Sequence, residues 1–257
     1  MSPPAVNPHS ANPLDDPSRG SEIAQTIRRK FSLRMLYEET YARYHDVLGR
    51  CPADGLAIEL GAGAGFVRQV IPEITTADVL PYDTVDLVFD AMQMPFADAS
   101  VRFIGMLNVF HHIPNVAAFL SECERCLKPG GRVLIVDQFP GFISRWIFRY
   151  AHHEPWTPDA ADWSFPSTGP LSGANGALAS IVFLRDRDRF ERDYPRLELV
   201  RTRPHTPMRY WLSGGLKSWN LIPSWLWKPA CLLDRALEAC SPRWGSFMDI
   251  ELVRRHD

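Results

Sequence analysis

Hydrophobic periodicity enters this chain near residue 21 and then changes character twice. Residues 1–20 are rich in Pro, Ser, Asn and Asp and almost without apolar periodicity, as in a disordered arm. A short helix is predicted from a Ser21 cap to about Phe31, and a longer one from a Ser32 cap to about Leu48. In the second, Leu33, Leu36, Tyr37, Tyr41, Tyr44, Val47 and Leu48 fall mostly on one face. Such a helix packs on a sheet edge, or lies as a lid with Tyr37 or Tyr41 turned to a ligand. After the turn Cys51–Gly55 the pattern becomes one of strands. Apolar runs at Leu56–Leu60, Thr75–Val79, Val85–Phe89, Val101–Val109 and Arg132–Asp137 predict five of them. Phe66–Ile71 and Pro114–Leu127 read as helices between strands. Strands and helices alternating at this spacing predict a doubly wound α/β sheet with ligands at the carboxyl ends of its strands.

The pattern loosens beyond Gln138. A helix is predicted over Gly141–His153, followed by a Pro-, Trp-, Ser- and Gly-rich stretch, Glu154–Gly176, with no clear period. A loop this long inside a compact domain is usually functional, so residues 139–195 are expected to form a substrate-facing cap. Arg185–Arg189 alternates charge, as a solvated helix start does. Leu197–Arg201 and Phe247–Arg254 read as strands, the second as an antiparallel sheet edge. Between them lie Tyr210, Trp211, Trp219, Trp225 and Trp227, expected to bury against the cap, and a helix Pro229–Ala239 with Leu232, Leu233, Ala236 and Leu237 inward. The expected organisation is an arm over 1–20, helices and ligand-binding core over 21–138, the cap over 139–195 and a sheet-completing part over 196–257.

The first strand carries the most specific chemistry. It runs into Glu59-Leu60-Gly61-Ala62-Gly63-Ala64-Gly65-Phe66, a glycine turn between a strand end and a helix start. Glycine permits close backbone approach and positive φ, and a helix N-terminus after it suits a nucleotide. Dinucleotide sites space their glycines as G-x-G-x-x-G. Here the spacing is G-x-G-x-G after an acid, and a carboxylate at Glu59 repels a diphosphate and suits a cationic ligand. These residues resemble the first motif, E/D-x-G-x-G-x-G, of the class I S-adenosylmethionine-dependent methyltransferases. Met94-Pro95-Phe96-Ala97-Asp98 and Leu127-Lys128-Pro129-Gly130-Gly131 resemble two further segments of that family. The resemblance implies a mostly parallel, seven-stranded Rossmann-like sheet with an antiparallel last strand and a helical or loop cap. It also implies S-adenosyl-L-methionine as cofactor and methyl transfer as activity.

Site residues follow from spacing and from the resemblance together. Asp78 comes 17 residues after Gly61, near the spacing at which an acid meets ribose hydroxyls, with Val79 beside it. Asp90 and Ala91 match the family's adenine-side positions, and Met92 either lines the same slot or packs in the core. Glu59, Gly61, Ala62, Gly63 and Gly65 complete the cofactor set, with Asn108 at the end of the fourth strand, where methyl donor and acceptor should meet. His111 and His112 follow it as candidate catalytic bases, since a histidine titrates near neutrality. On an extended segment neighbours point to opposite faces, so one of the two at most should face the cleft. His152, His153 and Glu154 are second choices.

Composition narrows the function classes. The chain of 257 residues has a net charge of -2, which implies no broad polyanion-binding surface and favours a small-molecule substrate over nucleic acid. No apolar run is long enough to span a membrane, and the N-terminus lacks the features of a signal peptide. Five cysteines without framework spacing suggest a reducing, cytoplasmic setting. Cys123-x-x-Cys126 has no second pair and reads as packing, so no metal is expected. The rival readings are an NAD(P)-dependent oxidoreductase and a non-catalytic binding module on the same fold. The oligomeric state stays open.

Overall fold

The computed structural model describes residues 16, 18–152, 154–167, 169 and 173–256; most of the expected arm and His153 lie outside them. Seven strands form one sheet: β1 Leu56–Leu60, β2 Thr75–Asp78, β3 Leu87–Val88, β4 Val101–Leu107, β5 Leu127–Gln138, β6 Leu197–His205 and β7 Phe247–Arg254. Their order is β3-β2-β1-β4-β5-β7-β6, and every pairing is parallel except those made by β7. The central strands β1, β4 and β5 are nearly continuous apolar runs, as parallel strands covered on both faces must be. Chain order reverses between β1 and β4, and the crevice at that switch point is where such sheets bind ligands.

Among the described residues the α-helical segments are α1 Arg19–Arg29, α2 Phe31–Leu48, α3 Val116–Cys126, α4 Ser144–Tyr150, α5 Leu178–Ser180, α6 Arg187–Asp193, α7 Arg209–Ser213 and α8 Trp227–Cys240. α2 covers one face, where Tyr41, Tyr44 and Val47 pack with Phe103, Leu134 and Val136. α3 covers the other with Phe119, Leu120, Cys123 and Cys126, joined there by Trp163, Leu178, Phe183 and Phe190. Much of the segment 139–195 therefore builds the second core layer, and its described residues facing the crevice are Ile147, Phe148, Ala151, His152, Glu154 and Ser167.

Several local expectations are corrected by tertiary partners. β7 is not the edge: it inserts antiparallel between β5 and β6. Its alternation explains this, since Met248, Ile250 and Leu252 face the α3 core while Asp249 and Glu251 meet Arg43, Arg50 and Arg132 on the other face. β6, with Pro204 and a half-exposed polar face, takes the edge, where a missing N–H costs least. Neither Ser21 nor Ser32 caps a helix. Lys30, in extended conformation, separates α1 from α2, and Ser32 Oγ donates instead to Asn220 Oδ1 at 3.0 Å. The helix after the glycines is one 3₁₀ turn, Phe66–Gln69. α8 is turned over relative to its apolar pattern: Leu232 is 64% exposed, Leu233 and Ala236 are also exposed, and Asp234 is buried. Arg209 decides this, donating from Nε to Asp234 Oδ2 at 2.8 Å beneath the helix.

Candidate active site

At the carboxyl ends of β1, β2, β4 and β5 lies a cavity of about 1090 Å³. Glu59, Gly61, Ala62, Gly63, Asp78, Val79, Asp90, Ala91, Met92, Asn108, His111 and His112 all line it. Gly65 does not. The turn needs it for another reason: its φ is 61° and an added Cβ would stand 2.5 Å from the Thr84 carbonyl oxygen. Gly63, with φ 41°, is the opposite case. A Cβ there would meet no protein atom closer than 4.0 Å, so the position opens onto the space a ligand can occupy.

Two buried carboxylates border that space. Asp78 accepts from Gly63 N at Oδ2 and from Leu80 N at Oδ1, each at 3.0 Å, which ties the end of β2 to the glycine turn. Burial nevertheless pushes its pKa up. Glu59 is 2% exposed and its Oε2 has no hydrogen-bond partner among the described residues. Burial, reinforced by Asp78 and opposed by the Tyr41 and Tyr44 hydroxyls, pushes its pKa up to about 8. Further out, Asp90 Oδ1 accepts from Met92 N at 2.8 Å and shapes the turn at the rim. Asn108 holds a φ of 55°, costly for a residue with a side chain, and its Oδ1 is buried without a partner.

The far end is built around two adjacent histidines. Phe110–His112 is a single 3₁₀ turn rather than strand, so both rings line the cavity, 4.2 Å apart, against the expectation of opposite faces. His111 is 1% exposed, with Nδ1 2.7 Å from Asp137 Oδ1 at the end of β5 and Nε2 3.2 Å from Glu154 Oε2. His112 Nδ1 is 2.9 Å from the Gly173 carbonyl oxygen, and its Nε2 is 3.5 Å from Glu154 Oε1. Gln138 Nε2 donates to Glu154 Oε2 at 2.9 Å, and His152 Nδ1 lies 3.4 Å from the same oxygen. Burial opposes a charge on His111, but Asp137 and Glu154 outweigh it and push its pKa up to about 10. Burial likewise opposes a charge on Glu154, yet both histidines hold its carboxyl far below the usual range. Asp137 and Gln138 escaped sequence reasoning, although an acid at a strand's carboxyl end was a usable signal.

Apolar side chains wall the rest. Tyr37 and Tyr41 of α2, Ile147 and Phe148 of α4, Trp211 of α7 and Phe247 of β7 face the cavity. Phe148 stacks on Trp156 and meets Trp211 edge-on, with ring centroids 4.9 and 5.3 Å apart. Trp211 Nε1 donates to Ser246 Oγ at 2.7 Å, which leaves its ring face as wall. Lys30 Nζ donates to the carbonyls of Gly215, Lys217 and Trp219 at 2.6, 2.8 and 2.9 Å, which fixes three residues of the cavity wall.

Residues 58–135 match the family model for a methyltransferase domain, a stretch that includes both the glycine turn and the two histidines. The chain is 31% identical over 142 residues to a probable S-adenosylmethionine-dependent methyltransferase of Mycolicibacterium smegmatis, covering 48% of this chain and 55% of that protein. It is 26% identical over 95 residues to the demethylmenaquinone methyltransferase of Lysinibacillus sphaericus, covering 34% of this chain and 40% of that one. The matched stretches span about half the length of these two relatives. In fold it is similar to a geranyl diphosphate methyltransferase solved with its methyl donor, with a TM-score of 0.52 and 18% identity, covering 97% of this chain and 96% of that one.

Proposed function

We propose that this chain, whose residues 58–135 match the family model for a methyltransferase domain, is a class I S-adenosylmethionine-dependent methyltransferase that transfers the methyl group of S-adenosyl-L-methionine to an oxygen or nitrogen of a small-molecule acceptor. The observation that carries this reading is one cavity lined at one end by Glu59, Gly63 and Asp78 and at the other by His111, His112 and Glu154. In this reading Asp78 takes the ribose hydroxyls on its remaining lone pairs, and Asp90, Ala91 and Met92 border the adenine. Gly61, Ala62 and Gly63 let the methionine portion approach, its ammonium compensating Glu59. The sulfonium methyl then points past Asn108 toward the histidines.

The acceptor places its nucleophile against His111, His112 and Glu154, and its apolar body against the wall of Ile147, Phe148 and Trp211. Its lone pair forms the new bond to the methyl carbon as the C–S bond breaks, and that electron pair stays on sulfur, leaving neutral S-adenosylhomocysteine. Holding the two reactants in line supplies much of the acceleration. The histidine–carboxylate group helps a protic acceptor lose its proton. The near-neutral net charge and apolar walls favour a small metabolite over a nucleic acid. Among the described residues no helix is long and apolar enough to cross a membrane. Cytoplasmic action belongs to the same proposal, on the five free thiols.

Calorimetric titration with S-adenosylhomocysteine and with NADH tests the reading. Binding of the first and not the second is expected, with label from methyl-labelled donor appearing in an apolar alcohol or amine. Binding of NADH alone would make the cleft that of an oxidoreductase. Donor binding without turnover on any acceptor would make the protein a binding module.

A further inference from the structure

We propose that His111, His112 and Glu154 form a site for a divalent cation of the zinc type, with one coordination position left open to the acceptor or to water. Three observations lead there. The first is the direction of the lone pairs. His112 Nδ1 faces a backbone carbonyl, which can only accept, and His111 Nδ1 faces the Asp137 carboxylate. Each Nδ1 therefore carries hydrogen, and a cation that displaces the Nε2 proton meets two Nε2 lone pairs turned toward Glu154.

The second is distance. The Nε2 atoms lie 3.2 and 3.5 Å from the two oxygens of Glu154, and one potential ligand atom from each residue falls within 4.8 Å of the others. Ligands bound about 2.1 Å from a tetrahedral ion stand about 3.4 Å from one another. The third is angle. His111 Nε2 is buried without a hydrogen bond of acceptable geometry, although the carboxylate oxygen is near enough in distance. A proton needs a nearly straight line between donor and acceptor, whereas a cation sits off that line at the apex of its ligands.

The outer partners complete the pattern. Asp137 behind His111, Gly173 behind His112 and Gln138 on Glu154 hold all three ligands in orientation, as outer-shell groups do in zinc sites. Two histidines and a carboxylate with an open position are a catalytic rather than a structural set. The proposal rests on the methyl-transfer reading and deepens it. A bound hydroxyl loses its proton to water more readily, and its oxygen lone pair attacks the methyl carbon while the C–S pair stays on sulfur.

The test uses the full chain, stripped with a chelator and titrated with Co²⁺ under visible absorption. One cobalt per chain with the strong bands of four-coordinate geometry is expected, displaced by Zn²⁺. His112→Ala and Glu154→Gln should each abolish the bands, and Asp137→Asn should weaken binding about 10- to 100-fold. Circular dichroism and S-adenosylhomocysteine affinity, measured on the same samples, should match the parent protein. Absence of cobalt binding in the parent, or bands that persist in both ligand variants, overturns the cation site. Cobalt binding in a parent protein that does not bind S-adenosylhomocysteine overturns the methyl-donor reading instead.

Discussion

The two ends of the cavity hold carboxylates that titrate in opposite directions. Glu59 and Asp78 have pKa values raised by burial, Glu59 up to about 8, and the only opposing charge at Asp78 among the described residues is His112. Glu154 is held far below its usual range by two histidines, and His111 is lifted to about 10 by two carboxylates. One end is short of positive charge, and the other supplies its own. A ligand with a cationic group relieves the first end directly, whereas a cation at the second must first displace the histidine proton. Ligand specificity can therefore differ sharply between two halves of a single cavity lined by similar side chains.

The comparison breaks most completely at Gly63. Valine there places a side chain in the space the ligand needs, and φ 41° strains it besides. Gly63→Val should abolish binding of S-adenosylhomocysteine in calorimetry, with the circular dichroism spectrum retained. Unchanged affinity would remove the glycine turn from the cofactor site.

His112→Ala should act at the other end alone. Turnover at saturating methyl donor is expected to fall by roughly 10²- to 10⁴-fold, with cofactor affinity nearly unchanged. An equal loss in both would mean that the two ends do not function separately.

Asp78→Ala gives a smaller effect of reverse kind. Loss of charge-assisted bonds to ribose should cost about 2–3 kcal/mol of cofactor affinity, with turnover at saturation largely kept. A loss under about 0.5 kcal/mol would take the ribose contact away from Asp78.

The smallest effect is a proton. In the free protein Glu59 holds a proton up to about pH 8 that the unfolded chain gives up near the usual 4.5. Between these values the folded state binds more protons, so this group's contribution to stability falls as pH rises. A cationic ligand favours the ionised form and expels the proton. Affinity for S-adenosylhomocysteine should therefore rise with pH toward about 8, by up to about tenfold per unit, and then level. Calorimetry in buffers of different ionisation enthalpy counts the released proton, and Glu59→Gln should flatten the profile. A flat profile in the parent protein would mean that no positive charge reaches Glu59.

The cofactor end was legible in the chain because it is contiguous. Strand β1, the glycine turn and the acids at 59, 78 and 90 lie within about three dozen residues, and short runs of strand-forming residues mark the strands that carry them. Residue type alone licenses the positive φ of both Gly63 and Gly65. Even so, sequence could not tell the two glycines apart, because Thr84 is what excludes a side chain at 65.

The other end depends on pairs far apart in the chain. His111 meets Asp137 across two strand ends, Glu154 arrives from beyond α4, and Gly173 from the loop after it. Periodicity carries no information about such meetings, nor about the 3₁₀ turn that swings both histidines to one side. The same limit turned α8 over, since Arg209 drew Asp234 inward and left Leu232 outside. An apolar pattern predicts a face only when burial of apolar area is the largest local term, and a buried ion pair left without its partner costs more than one exposed leucine. Sheet class, strand positions and the glycine–acid corner thus follow from local spacing and residue type. The strand order at β7, the orientation of α8 and the histidine–carboxylate cluster follow from contacts that exist only once the chain has closed on itself.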